Sequence, residues 1–309
     1  MLVRVLGAAA GGGFPQWNCG CTNCRRLRLG TLRGSARSQA QLALSADAEN
    51  WFLVNASPDL RSQIESFPAL HPRPDLFRDS PIQGVVLTSA ELDASLGLLL
   101  LRESQPLLAY ATQTVRSLLD GDNAMFGVLR RQPDQVAWRR LQPGAPMEME
   151  TLSGGPAGIR CTPVSAGGGF PGHVSRERSR ELDASEAVIG LFFEQGGRRL
   201  AFFPGLPAVD PAWLGPLEQC DAILVDGAFW SDDKLIRIQG AGKTAREMGH
   251  LPVGGEDGSI RALSSLRRPR KIFIHINNSN PILDEDSEEH RVMRNAGWEI
   301  AADGMELCL

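Results

Sequence analysis

Short apolar runs, separated by polar or glycine-containing segments, recur along the whole chain. Several of these runs contain no polar position, so each is expected to form a strand that is covered on both faces. Strands of this kind are typical of layered α/β proteins. The pattern predicts strands at residues 2–6, 41–45, 51–54, 84–88, 158–164, 187–194, 199–203, 222–225 and 271–276.

Helical patterns lie between the predicted strands. Ser57 and Pro58 form a helix start signal before residues 59–67, and leucines surround much of the segment 93–103. The other predicted helices are 112–119, 211–218, 259–265 and 287–295. No repeat and no shift in composition divides the chain, so we expect one α/β domain over residues 1–309.

Two irregular stretches, 142–156 and 166–185, are expected to be long surface loops. The second contains Gly167-Gly-Gly-Phe-Pro-Gly-His173. A glycine-rich segment of this kind would suit a lid over a site.

The composition narrows the functional classes. The 32 basic and 36 acidic side chains are dispersed, which indicates neither a nucleic-acid surface nor an anionic-membrane surface. The longest apolar stretch, 96–101, is far shorter than the roughly 20 residues that span a bilayer. The amino terminus has the pattern of a first strand and lacks the layout of a signal peptide. We therefore expect a cytoplasmic protein that does not insert into a membrane.

Three of the six cysteines, Cys19, Cys21 and Cys24, fall within one short loop. Three thiolates at this spacing can occupy three corners of a zinc tetrahedron, whereas ordinary loop thiols would be open to oxidation without any packing benefit. We expect zinc here, and the spacing alone does not say whether the ion works in catalysis or in folding. The other cysteines, Cys161, Cys220 and Cys308, lie in apolar settings and are expected to be buried.

Polar residues follow two of the predicted strands, where layered α/β proteins often carry their active sites. Glu91 and Asp93 follow the strand 84–88, either as paired carboxylates or as the acidic start of a helix. Asp226 follows the strand 222–225 and precedes Gly227, which suits a metal ligand and a turn equally well.

Two histidines are candidates for the same site. His275 ends the strand 271–276 and is followed by three asparagines, which would hold the imidazole tautomer or the neighbouring loop. His250 follows a glycine- and lysine-containing loop, and it suits a packing role at a helix end or a role in the site.

Long sequence matches show that the chain resembles the coenzyme pyrroloquinoline quinone (PQQ) biosynthesis protein B family of the metallo-β-lactamase superfamily. The matches run through nearly the whole chain. They are Gly11-Gly-Gly-Phe-Pro-Gln-Trp-Asn-Cys19 with Cys21 and Cys24, Asn55-Ala-Ser-Pro-Asp-Leu-Arg61, Gly97-Leu-Leu-Leu-Leu-Arg-Glu103, Val225-Asp-Gly227, Arg246-Glu-Met-Gly-His-Leu251, His275-Ile-Asn-Asn-Ser-Asn-Pro281 and Asp303-Gly-Met305.

The resemblance implies a metallo-β-lactamase-like αββα sandwich with a metal site at the edge between two sheets. It also implies a structural zinc on Cys19, Cys21 and Cys24, separate from the active site. The implied activity is iron-dependent hydroxylation of the tyrosine ring in the glutamate–tyrosine crosslinked precursor of PQQ. The alternative is a carrier that binds PQQ or its precursor and helps to move PQQ to the periplasm.

The chain departs from the superfamily at the loop that usually reads His-x-His-x-Asp-His. The corresponding residues here are Ser89, Glu91, Asp93 and Ala94, so the final histidine is replaced by a residue that cannot bind a metal. The absence of the two-metal histidine set also disfavours hydrolysis. The remaining candidate iron(II) ligands are Asp93, Asp226 and His275, with Glu91 and His250 nearby.

The resemblance gives these residues different roles. His275 and Asp226 would anchor the metal beside Asp93, and His250 would orient the substrate or handle protons. Basic side chains in the matching segments could pair with the carboxylates of the PQQ precursor; they are Arg61, Arg102, Lys243 and Arg246. The oligomeric state is left open, with a homodimer as one expectation.

Overall fold

The computed structural model describes residues 1–103, 105–132 and 135–309. Six strands of the amino-terminal half and the last strand of the chain form a first sheet. They are β1 (Leu2–Gly7), β2 (Gln41–Ser45), β3 (Trp51–Val54), β4 (Ile82–Val86), β5 (Leu107–Ala111), β6 (Val136–Arg140) and β14 (Glu306–Cys308). Their order across the sheet is β14-β1-β2-β3-β4-β5-β6, and the strands from β3 to β6 are parallel.

The remaining strands form a second sheet of the same size. They are β7 (Met147–Glu150), β8 (Pro156–Ser165), β9 (Ile189–Gln195), β10 (Arg198–Phe203), β11 (Ala222–Asp226), β12 (Arg270–Ile274) and β13 (Trp298–Ile300). Their order is β13-β12-β11-β10-β9-β8-β7, and the strands from β10 to β13 are parallel. Each sheet therefore has a parallel half and an antiparallel half.

The apolar strands are buried on both faces. In β3, Phe52 and Val54 belong to the cluster between the two sheets, whereas Trp51 and Leu53 belong to a cluster with the helical residue Leu60. Residues of β11 alternate in the same way between the central cluster and one that includes Met293. The layers are therefore helix, sheet, sheet and helix, which confirms the expected αββα sandwich.

The helices are short. They are α1 (Thr22–Arg28), α2 (Leu60–Glu65), α3 (Leu92–Ser95), α4 (Gln113–Arg116), α5 (Arg176–Ser179), α6 (Leu214–Glu218), α7 (Lys234–Gln239), α8 (Ser259–Ala262) and α9 (Glu288–Asn295). Within the described ranges, no helix has the length and apolar character needed to cross a membrane.

The leucine-rich segment 93–103 is helical over most of its length, as α3 followed by a 3₁₀ helix (Leu96–Leu101), and Gly97 lies against the backbone of Ala56 and Ser57. One prediction about local structure was wrong. The stretch 142–156 is not a loop throughout, because it contains β7, whose glutamates alternate with methionines at the sheet edge. Cys308 is exposed on the edge strand β14, so the expectation that it is buried was also wrong.

The two sheets meet at the carboxyl ends of their parallel strands. Beyond the end of β1, Ala9 forms a bridge with Ile276, which follows β12. Beyond the end of β4, Ser89 forms a bridge with Val188, which precedes β9. Segments that leave both sheets are thereby held next to each other at one edge of the sandwich.

Candidate functional site

A cavity of about 340 Å³ opens at the edge where the sheets meet. The segment after β4 contributes Glu91, Asp93 and Ala94 to its wall, and the segments after β11 and β12 contribute Phe229 and His275. Gly167, Gly168 and Gly169 also line it, which places the predicted lid segment at the cavity. His173 from the same segment is exposed and does not line this cavity.

Asp226 is the last residue of β11 and is buried. Its Oδ1 accepts a hydrogen bond from the backbone of Ala228 at 3.1 Å, and its Oδ2 accepts one from Leu206 at 3.3 Å. The same Oδ2 lies 2.7 Å from Nδ1 of His250. Burial alone would raise the pKa of Asp226, but His250 and His275 hold that pKa below its ordinary value.

His275 follows β12 in a left-handed backbone conformation, with φ of 57°. Its Nε2 lies 3.0 Å from Oδ2 of Asp93, and its Nδ1 lies 3.5 Å from Oδ1 of Asp226. Nδ1 is buried and has no hydrogen-bond partner among the described residues. Burial opposes protonation, yet the carboxylates of Asp226 and Asp93 raise the pKa of His275 to about 10.

His250 completes the cluster. Its ring stacks on that of His275 with 5.3 Å between the centroids, and its other neighbour is the edge of Phe229. Asp226, His250 and His275 each offer one ligand atom, and these atoms lie within 4.8 Å of one another. Two imidazoles and one carboxylate at this separation form a donor set that suits a divalent transition metal.

Asp93 joins this cluster from the other sheet, in the first turn of α3. Burial would raise its pKa, but the contact with His275 holds that pKa below its ordinary value. Glu91 lines the cavity without a hydrogen bond or ion pair to these residues in the described part of the chain. Burial and the charge of Asp93 raise the pKa of Glu91. Ala94 lines the cavity and offers no donor atom.

The cysteine triplet forms a second cluster that could hold a metal. The sulfur atoms of Cys19, Cys21 and Cys24 lie within 4.8 Å of one another, at the start of α1. Burial raises the pKa of the Cys24 thiol to about 11, although hydrogen bonds oppose this shift. The clustering that the spacing predicted is therefore present, in a place separate from the histidines.

The three asparagines after His275 do not act as one group. Asn280 donates from Nδ2 to the carbonyl of Gly227 at 2.8 Å, so it holds the turn after Asp226, as expected of a loop-holding amide. The side chain of Asn278 faces the cysteines instead, with Nδ2 3.1 Å from the sulfur of Cys19. The sequence singled out this asparagine, but only its direction in the structure connects it with the triplet.

The basic side chains suggested as substrate partners do not line the cavity. All four are exposed: Arg61, Arg102, Lys243 and Arg246. Arg246 instead donates to the carbonyl of Asp257. Recognition of a carboxylate-rich substrate within this cavity would therefore depend on other groups.

Two stacked sheets with acidic and imidazole side chains at one shared edge define a protein of the metallo-β-lactamase class. In agreement, a family model described as a beta-lactamase superfamily domain matches residues 50–276. The chain is 42% identical to the coenzyme PQQ synthesis protein B of Nitrosococcus oceani and 41% identical to that of Methylococcus capsulatus, and each alignment covers 100% of both chains. The protein belongs to the coenzyme PQQ synthesis protein B family.

A solved structure described as Zn²⁺-bound PqqB from Methylobacterium extorquens gives the same result. It aligns with a TM-score of 0.91 and 39% identity over 100% of both chains. The family resemblance and the αββα fold are thus confirmed, together with a role in PQQ biosynthesis. The zinc-bound relative and the cysteine cluster together suggest zinc as a metal of this protein.

Proposed function

We propose that the protein is an iron(II)-dependent oxygenase that hydroxylates the tyrosine ring of the glutamate–tyrosine crosslinked PQQ precursor. The observation that carries the proposal is the cluster of Asp226, His250 and His275 in a cavity wall, beside Asp93. Carboxylates and imidazoles are the donors that non-haem iron(II) oxygenases use. Membership of the coenzyme PQQ synthesis protein B family supports a substrate from the PQQ pathway.

The residues present fit such a metal. Nδ1 of His275 is buried without a hydrogen-bond partner in the described part of the chain, and a metal ion would supply the missing partner. Asp226 is ionised and buried, and its two backbone hydrogen bonds fix the direction of its carboxylate. Bound iron(II) would supply the activation of oxygen. We assign Asp226 and His275 to holding it, and Asp93, which contacts Nε2 on the other side of the His275 ring, to positioning that ring.

We assign proton transfer to His250. Its Nδ1 lies 2.7 Å from the ionised Asp226, so Nδ1 carries the proton and Nε2 is the basic atom. Nε2 can then accept a proton from the phenol of the substrate or from water. Insertion of one oxygen atom into an aromatic C–H bond reduces the other oxygen atom to water, which requires two electrons and two protons from a reductant of the cell.

A carrier that binds PQQ or its precursor without turnover is the second candidate. Ala94 favours it, because the position that provides a histidine ligand in the superfamily provides only a methyl group to this cavity. Glu91 makes no hydrogen bond or ion pair with the histidines or with Asp226 in the described structure, so its carboxylate does not replace that ligand here. The cavity itself does not depend on the missing histidine.

Oxygen consumption with the crosslinked glutamate–tyrosine peptide tests the proposal. Protein loaded with iron(II) under anaerobic conditions is mixed with the peptide, a reductant and oxygen, and the product mass is measured. The oxygenase proposal predicts that the product gains one oxygen atom and that His275→Gln abolishes this gain. Tight binding of PQQ or the peptide without any oxygen uptake would favour the carrier.

A cytoplasmic location, one domain over residues 1–309 and a homodimer stay predictions that accompany this proposal. Cell fractionation tests the first, limited proteolysis tests the second and sedimentation analysis tests the third. None of the three alters the chemistry assigned to the cavity.

A further inference from the structure

The cysteine cluster provides three donors for an ion that prefers four. Structural zinc sites are almost always tetrahedral, so the sulfur atoms of Cys19, Cys21 and Cys24 leave one position open. Cys24 is fully buried, whereas Cys19 and Cys21 are partly exposed. A fourth protein ligand must therefore come from a segment that packs over the loop of the cysteines.

Asn278 is in that position. Its Nδ2 lies 3.1 Å from the sulfur of Cys19, 3.3 Å from that of Cys24 and 3.7 Å from that of Cys21. The residue is only 5% exposed, and its Oδ1 accepts no hydrogen bond from the residues that the structure describes. In that part of the chain, no other residue directs a side-chain nitrogen or oxygen at all three sulfurs.

The two ends of a carboxamide have nearly the same shape. Half a turn about the Cβ–Cγ bond of Asn278 therefore exchanges Nδ2 and Oδ1 without moving the backbone. When the three cysteines hold no metal, the amide nitrogen of Asn278 is the better partner, because it donates hydrogen bonds to their sulfur atoms. With a zinc ion between the sulfurs, the oxygen end is the donor that completes the set.

The backbone around Asn278 is already fixed in place. Asn23, between two of the cysteines, donates from Nδ2 to the carbonyls of Asn278 and Asn280 at 3.2 and 2.8 Å. Asn277 accepts hydrogen bonds from the backbone and hydroxyl of Ser279. Only the side chain of Asn278 must rotate, so its binding to the metal costs little backbone conformational entropy.

We propose that Asn278 is the fourth ligand of a zinc ion held by Cys19, Cys21 and Cys24, and that it binds through Oδ1. The ion thereby joins the amino-terminal cysteine loop to the segment that follows His275. The competing arrangement keeps Asn278 as an N–H donor to the thiolates and gives the fourth position to water. The two arrangements make opposite predictions for an aspartate at this position.

Cobalt(II) substitution and competition with a chelator for zinc test the proposal. Asn278→Ala should lower the zinc affinity by about tenfold or more, which is at least the cost of losing an outer-shell partner. It should also change the visible absorption spectrum of the cobalt(II) protein. Asn278→Cys should add sulfur-to-cobalt charge-transfer absorption, because a fourth thiolate then enters the set.

Asn278→Asp decides between the two arrangements and does not depend on the alanine variant folding. An oxygen ligand is retained, so the proposal predicts zinc binding at least as tight as in the unsubstituted protein. If Asn278 is only an N–H donor, the new carboxylate repels the thiolates and zinc affinity falls.

Asn18→Ala is the matched control, because its exposed amide lies next to Cys19 and makes no hydrogen bond to the three sulfurs in the described structure; this variant should keep its zinc and its cobalt(II) spectrum. The proposal is overturned if folded Asn278→Asp loses zinc, or if Asn278→Ala keeps both the affinity and the spectrum.

Discussion

His275 carries the greatest local constraint in the candidate active site. A left-handed backbone at a residue other than glycine costs about 1–3 kcal/mol and persists only where the surroundings require it. Here the ring of His275 lies between Asp93 and Asp226 and stacks on His250. The conformation places both ring nitrogens next to carboxylates, so the strain serves the assembly of the site.

The raised pKa of His275 leads to a prediction about protons. Its pKa of about 10 in the metal-free protein means that the imidazole is protonated at neutral pH, whereas a metal ligand must be neutral. Iron(II) or cobalt(II) binding to zinc-loaded protein should therefore release a proton, and the affinity should increase as the pH rises towards 10. Titration calorimetry in buffers of different ionisation enthalpy measures this release. Binding without proton release would contradict the assignment of His275 as a ligand.

The proton that His275 binds also affects the free energy of unfolding. Because the pKa of His275 is raised from 6.5 to about 10, its stabilising effect is fully present below pH 6.5 and is lost as the pH rises through 10. Urea unfolding of metal-free protein across this range should show a falling free energy of unfolding. In His275→Gln, this part of the slope should disappear.

Ala94 gives a second prediction at the level of one residue. Ala94→His places an imidazole in the cavity next to Asp93 and should raise the iron(II) affinity by about tenfold or more, since even outer-shell partners have effects of that size. Ala94→Leu adds similar bulk without a donor atom and serves as the control. Equal affinities for the two variants, measured by anaerobic titration, would mean that this cavity does not hold the metal.

At the level of the elements, the close approach of one helix to one loop positions Asp93. A methyl group on Gly97 would lie 2.1 Å from the carbonyl oxygen of Ser57, so the 3₁₀ helix after α3 can sit there only with glycine. Gly97→Ala should lower the free energy of unfolding by about 1–3 kcal/mol, the usual cost of overpacking. It should also weaken metal binding through Asp93.

The control for Gly97→Ala is Gly215→Ala, because nothing lies within 4 Å of the added methyl group in α6. This variant should be as stable as the unsubstituted protein or slightly more so, since alanine is the better helix former. Urea unfolding compares the two variants directly. Equal stabilities would show that the loop of Ser57 moves to accommodate the added methyl group without a cost in stability.

The cysteine loop is the second element whose stability depends on a single feature, which here is the bound zinc. Cys21→Ser should lose zinc and stability together, because zinc bound to the folded state alone contributes about 2.7 kcal/mol at about 100 times its Kd. Cys308→Ser, at an exposed cysteine on β14, is the matched control and should change neither quantity. A stable variant of Cys21 that retains its zinc would contradict the structural role of the triplet.

Across the whole molecule, the two clusters use different residues of the segment that follows β12. His275 faces Asp93 and Asp226, whereas Asn278 faces the cysteines. This arrangement predicts two independent metals, one zinc and one iron(II) per chain. Metal analysis after anaerobic iron(II) loading should find both, and His275→Gln should retain only the zinc. Zinc alone in the unsubstituted protein would favour the carrier.

The strands that the pattern predicted well are those covered on both faces. The predicted strands 41–45 and 51–54 coincide with β2 and β3, because a continuous apolar run has few alternatives to a buried strand. The strands that were missed lie mostly towards the sheet edges, such as β6, β7 and β14. In β7 the sequence is Met-Glu-Met-Glu, and a short strand with charged positions has no strong signal of its own.

Order along the chain was enough to identify the cysteine triplet, the polar ends of the strands, the replacement at Ala94 and the family. It could not show that Asp93 and His275, which are 182 positions apart, have side-chain atoms 3.0 Å from each other. That contact depends on two sheets stacking so that their parallel strands end at one edge. It also could not show that Asn278 faces the cysteines, because neighbouring residues after a strand can point to opposite sides. Contacts between distant segments follow from packing, and packing is a property of the folded chain.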